Sequence, residues 1–498
     1  MSEQDKISLT VSQEKILKQI KDFVFNSKDR VFILKGYAGT GKTTLMRFLI
    51  EELDKRGQMY KLLSTTGRAA KILKDCTGCE AGTIHSLIYK YTDFNQDVSD
   101  FDPQKGVPDI TGQLVLVFEP NSLGNDEARS SCIYIVDESS MISDIESVEV
   151  IQARFGSGRT LKELLDYDTK KESKFIFVGD PCQLPPIEGY FSPALNAQYF
   201  TDTFGLKAQE GTLTEIMRQE NSIVLAGAYI RKLWENAPEE ESYYRSKVWG
   251  SPLHVSRYPD FHLHKGSDDM EQLYLDYIRK DGYAKSVLIC NSNAKCYEHS
   301  MIIRDKLGFE GVVQKGELLM VVQNQQTTGM MNGDMLEVIE VKSDDGVVRR
   351  RVGENSGHPV ELRFREITVR ELFSKRQHTT LMLDNTLQSS QNNLDQIQQT
   401  GLFLDFILRM KQRGIDQRKN KSAFDDAMRR DPYLNALRCN YGYAITCHKA
   451  QGGEWDEVFI LPQRNITLKP TKKKYQWFYT AITRAKQTVH LCKDFFIS

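Results

Sequence analysis

Two short segments carry the residues best suited to chemistry. The first runs from Gly36 to Thr44, with Gly36, Gly39, Thr40, Gly41, Lys42, Thr43 and Thr44. Glycines there let successive backbone N–H groups turn inward around a polyphosphate, and a helix opening at the end of the loop adds its partial positive charge. Lys42 then reaches the terminal phosphates, and Thr43 offers a hydroxyl to Mg²⁺, which keeps most of its waters and takes one or two protein ligands. The second segment is the Asp137 and Glu138 pair closing the apolar run 132–136. Asp137 suits the metal shell, and Glu138 can orient or deprotonate a water for attack on phosphorus. An acidic pair also suits a helix start, but the phosphate loop upstream favours the catalytic reading.

Such residues need strands to hold them. Apolar runs at 31–34, 61–63, 132–136, 175–178, 287–290 and 458–461 read as buried parallel strands, alternating with helical patterns such as 43–55 and 68–75. The Asp137 strand is expected beside the phosphate-loop strand. The class is α/β, in two successive lobes: 1–88 with 131–215, and 216–309 with 441–498. The turn-rich stretch 89–130, with one strand candidate at 113–119, reads as an insertion in the first lobe. The stretch 310–440 reads as a small β-barrel-like subdomain with a helical extension at 402–429, whose mixed charges suggest a solvated face.

Composition narrows the classes. The 498 residues suit three or four domains of roughly 100–200 residues each. With Lys and Arg totalling 66 against 67 Asp and Glu, the chain has no surplus charge to coat a polyanion, so nucleic-acid contacts must be local. No apolar run is long enough for a membrane span. The first residues have no secretory pattern, which reads as a cytoplasmic location. Cys76 and Cys79 lack a second metal half-site, so they read as unligated thiols on a turn at Gly78.

The order of six segments resembles superfamily 1 helicases: the Gly36 loop, Asp137 to Met141, Gly179 to Gln183, the stretch ending in Arg218 and Gln219, Tyr443 to Gly452, and Tyr479 to Lys486. More narrowly, the chain is similar to the RecD, Dda and Pif1 group. The resemblance implies two RecA-like lobes and an SH3-like barrel in 310–440, with a strand-separating hairpin in 89–130. It implies a monomer that uses ATP and Mg²⁺ to move 5′ to 3′ on single-stranded DNA and open forked duplex. Gln13 would meet the adenine edge, Gln183 would sense the γ-phosphate, and Arg218 and Arg484 would close on it. Gly452 would line the nucleotide. Thr66, Arg68, Thr83 and His85 would contact DNA from the first lobe, and Asn293, Thr446 and His448 from the second.

The chain departs from the family pattern in two places. Ser64 and Thr65 precede Thr66 where an Ala-Pro pair is usual, and Asn291-Ser292-Asn293 stands where Thr-Asn is usual. The segment 402–429 has no counterpart in the family. Two further readings stay open, an ATP-driven DNA-binding switch that does not unwind and an RNA translocase.

Overall fold

Strands without polar alternation need cover on both faces, and helices supply it. The computed structural model describes residues 8–94, 115–121, 132–146, 153–187, 189–216, 222–238, 251–325, 327–342, 347–352, 360–389, 393–462, 471–494 and 496–498. Arg218 and most of the 89–130 insertion lie outside the described residues.

The first nine strands are Val31–Gly36 (β1), Tyr60–Ser64 (β2), Ala81–Thr83 (β3), Tyr89–Phe94 (β4), Leu116–Pro120 (β5), Ile133–Asp137 (β6), Ala153–Phe155 (β7), Lys174–Gly179 (β8) and Ala208–Leu213 (β9). Six of them form a parallel sheet in the order β3-β2-β6-β8-β1-β9. Side chains alternate between its faces: Val31, Ile33, Tyr134, Val136 and Phe177 enter one core, and Phe32, Leu34, Ile133, Ile135 and Val178 the other. The expectation that β6 lies beside β1 is corrected. β8 stands between them, so the Gly179-Asp180 end of β8 adjoins the phosphate loop and Asp137 reaches it from one strand farther. Apolar runs reveal which segments are buried strands but carry no information on their order.

A second parallel sheet begins with Phe261–His264 (β10) and Ser286–Cys290 (β11). The chain then leaves it for Leu318–Val321 (β12), Met335–Val341 (β13), Val348–Val352 (β14), Val360–Glu371 (β15), Gln377–Leu383 (β16) and Cys439–Tyr441 (β17). It returns as Ala444–Thr446 (β18), Trp455–Leu461 (β19) and Ala485–Cys492 (β20), giving the order β10-β20-β19-β11-β18. The β12–β17 strands do not close into the expected barrel. They run antiparallel along β14-β15-β13-β12-β17 with β16 on β15, and among the described residues the two ends share one isolated bridge, between Met382 and Leu437, and no continuous ladder. Leu319, Val321, Leu336 and Val338 instead join the same core as Val287, Ile289 and Ile445 of the second parallel sheet.

The stretch 402–429 exposes one charged face, with Arg413, Arg418, Lys419, Lys421, Asp426 and Arg429 in solvent, and buries the other. It divides at Gly414, φ 73°, into helices Gln396–Gln412 and Lys421–Arg430. Phe403, Phe406, Ile407 and Met410 bury against Phe424 and Met428. On the buried face, Arg409 donates to Asp405 at 2.8 Å and to both oxygens of Asp431, so burial does not leave it unpaired. The same cluster takes in Phe94 at the end of β4, whose ring lies 5.2 Å from that of Phe403. The extension therefore braces the β4-β5 hairpin.

Phe403→Ala should cost about 3–5 kcal/mol locally. We expect faster amide exchange in Tyr89–Phe94 and Leu116–Pro120 with unchanged exchange in β1 and β8. Unaltered protection of the hairpin would contradict the bracing role.

Candidate functional site

β1 delivers the chain to the loop, and two glycines make the loop possible. Gly39 and Gly41 have φ of 78° and 77°, a region L side chains rarely enter. A β-carbon at Gly36 would lie 2.7 Å from Thr40 Oγ1. Gly41 then caps the helix Lys42–Lys55, whose first-turn N–H groups open toward the loop. Lys42 Nζ donates to the carbonyls of Gly36 and Tyr37 at 2.8 and 3.1 Å, folding across the cradle. Gln13, expected at an adenine edge, is buried against the loop: its amide nitrogen donates to Thr40 O at 3.2 Å and its oxygen accepts Thr10 N–H at 3.1 Å.

At the end of β6, burial and then the neighbouring Glu138 push the Asp137 carboxyl up to about 7, and Asp137 Oδ1 accepts the Glu138 N–H at 2.9 Å. Glu138 has φ 51°, a left-handed backbone that costs a non-glycine residue about 1 kcal/mol or more. Such strain is held where a side chain must be aimed. Lys42, Asp137, Glu138, Gln183, Gly452 and Arg484 all line one cavity of about 750 Å³, so the structure gathers groups drawn from both sheets. The buried Gln183 Oε1 has no partner among the described residues.

The joint between the lobes is a set of hydrogen bonds from the helix Lys472–Ile482. Tyr479 OH donates to Asp180 Oδ2 at 2.8 Å and accepts the Ala38 N–H of the phosphate loop at 3.0 Å. Leu184 N–H reaches Thr480 Oγ1 at 3.0 Å, and Gln476 Nε2 reaches Pro181 O at 3.0 Å. Arg484, just beyond this helix, is held by Thr480 O at 3.0 Å, Thr483 Oγ1 at 3.2 Å and Gly453 O at 3.4 Å. Tyr479 and Asp180 were not among the expected site residues. Their signals were a Gly-Asp step ending an apolar strand and a tyrosine five positions before Arg484.

Hydroxyl caps organise further strand ends of the two sheets. Thr66, Thr83, Ser292 and Thr446 each accept an N–H in the first turn of the helix that follows β2, β3, β11 and β18. β2 adjoins β3 and β11 adjoins β18, so the caps come in pairs at the strand ends of the two sheets. Such N-termini suit phosphates. Ser292 supplies the hydroxyl in the second lobe, with the exposed Asn293 following it. His85 packs between Tyr89 and Phe155 with ring separations of 5.3 and 5.1 Å, and burial lowers its pKa. Burial, with Lys473 adding, takes His448 down to about 4, and its Nε2 has no partner among the described residues. Both histidines are therefore neutral near pH 7. Arg68, expected on the DNA side, is turned into the cavity with Lys42.

Among the described residues, no three His, Cys, Asp or Glu side chains are grouped to hold a metal by themselves, and no helix is long and apolar enough to cross a membrane. Cys76 closes the helix Gly67–Thr77, and Cys79 Sγ lies 3.6 Å from Tyr60 OH.

Burial raises the Asp180 carboxyl above its ordinary value, with Lys42 and Tyr479 opposing. Tyr479→Phe removes one of these opposing donors, so the carboxyl rises further. A carboxyl raised on folding binds more protons folded than unfolded, so its penalty grows as pH climbs from the unfolded value toward the folded one. The variant should lose about 1–3 kcal/mol, more at pH 8 than at pH 5, in thermal unfolding. An equal melting temperature at pH 8 would contradict the joint.

Comparison with known proteins agrees with this geometry. Residues 8–241 match the AAA domain family and residues 441–492 the UvrD-like helicase C-terminal domain family. The ATP-dependent DNA helicase dda of Enterobacteria phage T4 is 29% identical over 225 residues, 45% of this chain and 42% of the relative. The ATP-dependent RecD2 DNA helicase of Deinococcus radiodurans is 23% identical over 470 residues, 92% of this chain and 46% of the relative. The chain spans less than half the length of the curated relatives it matches. A crystal structure of Pif1 helicase from Bacteroides in complex with ADP-AlF3 and ssDNA aligns over 99% of this chain and 94% of that one, at 16% identity and a TM-score of 0.47. The first sheet thus carries the AAA domain match and the end of the second the UvrD-like helicase C-terminal domain match, and the chain is similar in sequence to proteins named as ATP-dependent DNA helicases.

Proposed function

We propose that the protein is an ATP-driven DNA helicase that moves 5′ to 3′ along a single strand and opens forked duplex. The observation that carries the reading is the single cavity lined by the phosphate loop, Glu138 and Gln183 of the first lobe together with Gly452 and Arg484 of the second. A triphosphate bridging those groups favours closure of the lobes, and loss of the γ-phosphate releases it. Lys42 holds the terminal phosphates, Glu138 orients the attacking water, and Gln183 carries the state of the phosphate to the joint. Arg484, joined by Arg218, neutralises charge as phosphoryl transfer proceeds.

The hydroxyl of Thr43 and the carboxylate of Asp137 line the same cavity and are a hard oxygen donor set that fits Mg²⁺, whose charge would offset that of the phosphates. DNA phosphates lie along Thr66, Thr83, Asn293 and Thr446, with His85 and His448 behind them. These contacts read backbone rather than base, so binding is largely independent of sequence. The dda and RecD2 relatives, both named as ATP-dependent DNA helicases, support DNA over RNA as substrate. The direction of movement rests on the group resemblance.

Lys42→Ala should lower DNA-stimulated ATP turnover by about 10²–10³-fold while keeping affinity for single strands. Normal turnover would contradict the assignment of the loop. Glu138→Gln should bind nucleotide tightly and hydrolyse it slowly, with unchanged steady-state ATPase removing Glu138 from its role. On labelled forks we expect unwinding from a 5′ DNA tail and none from a 3′ tail or an RNA tail. DNA-stimulated ATPase without unwinding on any fork would identify a switch in place of a helicase.

A further inference from the structure

Arg68 opens the helix Gly67–Thr77 directly after β2, and its surroundings differ from those of a DNA contact. The residue is 8% exposed, and Nη1 is buried with no hydrogen-bond partner among the described residues. Its guanidinium lies 5.2 Å from the Trp455 ring and 5.6 Å from the Phe373 ring, both on the second-lobe side. Rings attract a cation but accept no N–H in its plane, so the donors of the fork remain directed outward. Met331 covers the start of the helix, where a β-carbon on Gly67 would lie 2.7 Å from Met331 Cβ.

The inner side is open. Arg68 lines the same cavity as Lys42, Glu138 and Arg484. It converges with Arg484 on one turn: Arg484 Nη1 donates to Gly453 O at 3.4 Å, and a β-carbon on Gly453 would lie 2.6 Å from Arg68 Nη2. Burial takes Arg68 down to about 10, with Asp334 opposing and Arg484 adding. Asp334 is committed elsewhere, accepting Met331 N–H at 2.9 Å and facing Lys71 at 3.6 Å. Arg68 has Asp334 as a charged neighbour but no carboxylate hydrogen-bonded to it among the described residues, and a planar fork with such donors is suited to a phosphate.

We propose that Arg68 is a nucleotide ligand that binds the terminal phosphate of a triphosphate from the first lobe, opposite Arg484, and distinguishes triphosphate from diphosphate. This rests on the nucleotide reading of the cavity. It moves Arg68 from the DNA contacts to the ATP site and gives Trp455 and Phe373 a role, to aim the guanidinium when the lobes close.

The test uses the full chain with three probes: a fluorescent non-hydrolysable ATP analogue, fluorescent ADP, and a labelled single-stranded oligothymidylate without nucleotide. Arg68→Met keeps the packing between the rings and removes the charge, and Arg68→Lys keeps the charge and removes the fork. Arg68→Met should weaken the triphosphate analogue by about tenfold, the loss expected for one charge-assisted phosphate contact. ADP and oligothymidylate affinities should stay within about twofold of the parent. Arg68→Lys should recover part of the triphosphate affinity. Equal losses for both nucleotides, no loss for either, or a loss confined to oligothymidylate would each overturn the proposal. A parent protein that binds neither nucleotide would instead overturn the reading of the cavity. A near-native melting temperature for Arg68→Lys keeps the comparison valid if Arg68→Met folds poorly.

Discussion

One buried oxygen ties the two halves of the site together. Tyr479 OH sits between the Ala38 N–H of the phosphate loop and the Asp180 carboxylate at the end of β8, and it belongs to the helix that ends beside Arg484. In a dry interior such a hydroxyl must find a donor and an acceptor, and here both come from the first lobe. The phosphate loop, the β8 end and the arginine of the second lobe are thereby positioned by one side chain. Because β8 lies between β1 and β6, the same strand end also separates the lysine from the acidic pair, leaving room for phosphates and water.

Charge is treated differently in the scaffold and in the cleft. Arg304 with Glu317, Arg365 with Asp384 and Arg409 with Asp431 are buried pairs whose guanidinium forks are answered by carboxylates. In the cleft, Arg68 meets aromatic rings, and Gln183 Oε1 has no partner among the described residues. Around Lys71, the inserted sheet supplies Glu371 and Asp334. Burial would raise the Glu371 carboxyl, but hydrogen bonds from Lys71, Ser374 and His378 outweigh it and bring it down to about 2. That ion pair fastens the first lobe to the β12–β17 sheet beside the cavity, and the cleft keeps Arg68 Nη1, without a partner among the described residues, for a ligand.

Much of this was legible in the residues. The glycine spacing from Gly36 to Gly41 and the apolar runs leading to Lys42 and Asp137 identify strand, loop and helix, because each is a local consequence of backbone freedom and burial. What stayed hidden depends on distant partners. Strand order between β1 and β6 is set by chain crossovers. The solvated charged face of 402–429 was legible, but the burial of Arg409 was not, because its partner Asp431 lies beyond the following helix. The burial of Arg68 comes from Phe373 and Trp455, some 300 and 390 positions away in the sequence, and could not be read from its own segment. The incomplete closure of β12–β17 follows from a core shared with β11 and β18, which periodicity within one segment cannot reveal.

The central claim is that a nucleotide site built on the first lobe is completed by the second. Steady-state ATP turnover of Arg484→Ala, measured with saturating single-stranded DNA alongside nucleotide affinity, tests it most directly. The account predicts turnover lowered by about 10³-fold, the effect expected of an arginine that stabilises charge in phosphoryl transfer, with nucleotide affinity changed far less. Turnover equal to that of the parent protein would contradict it.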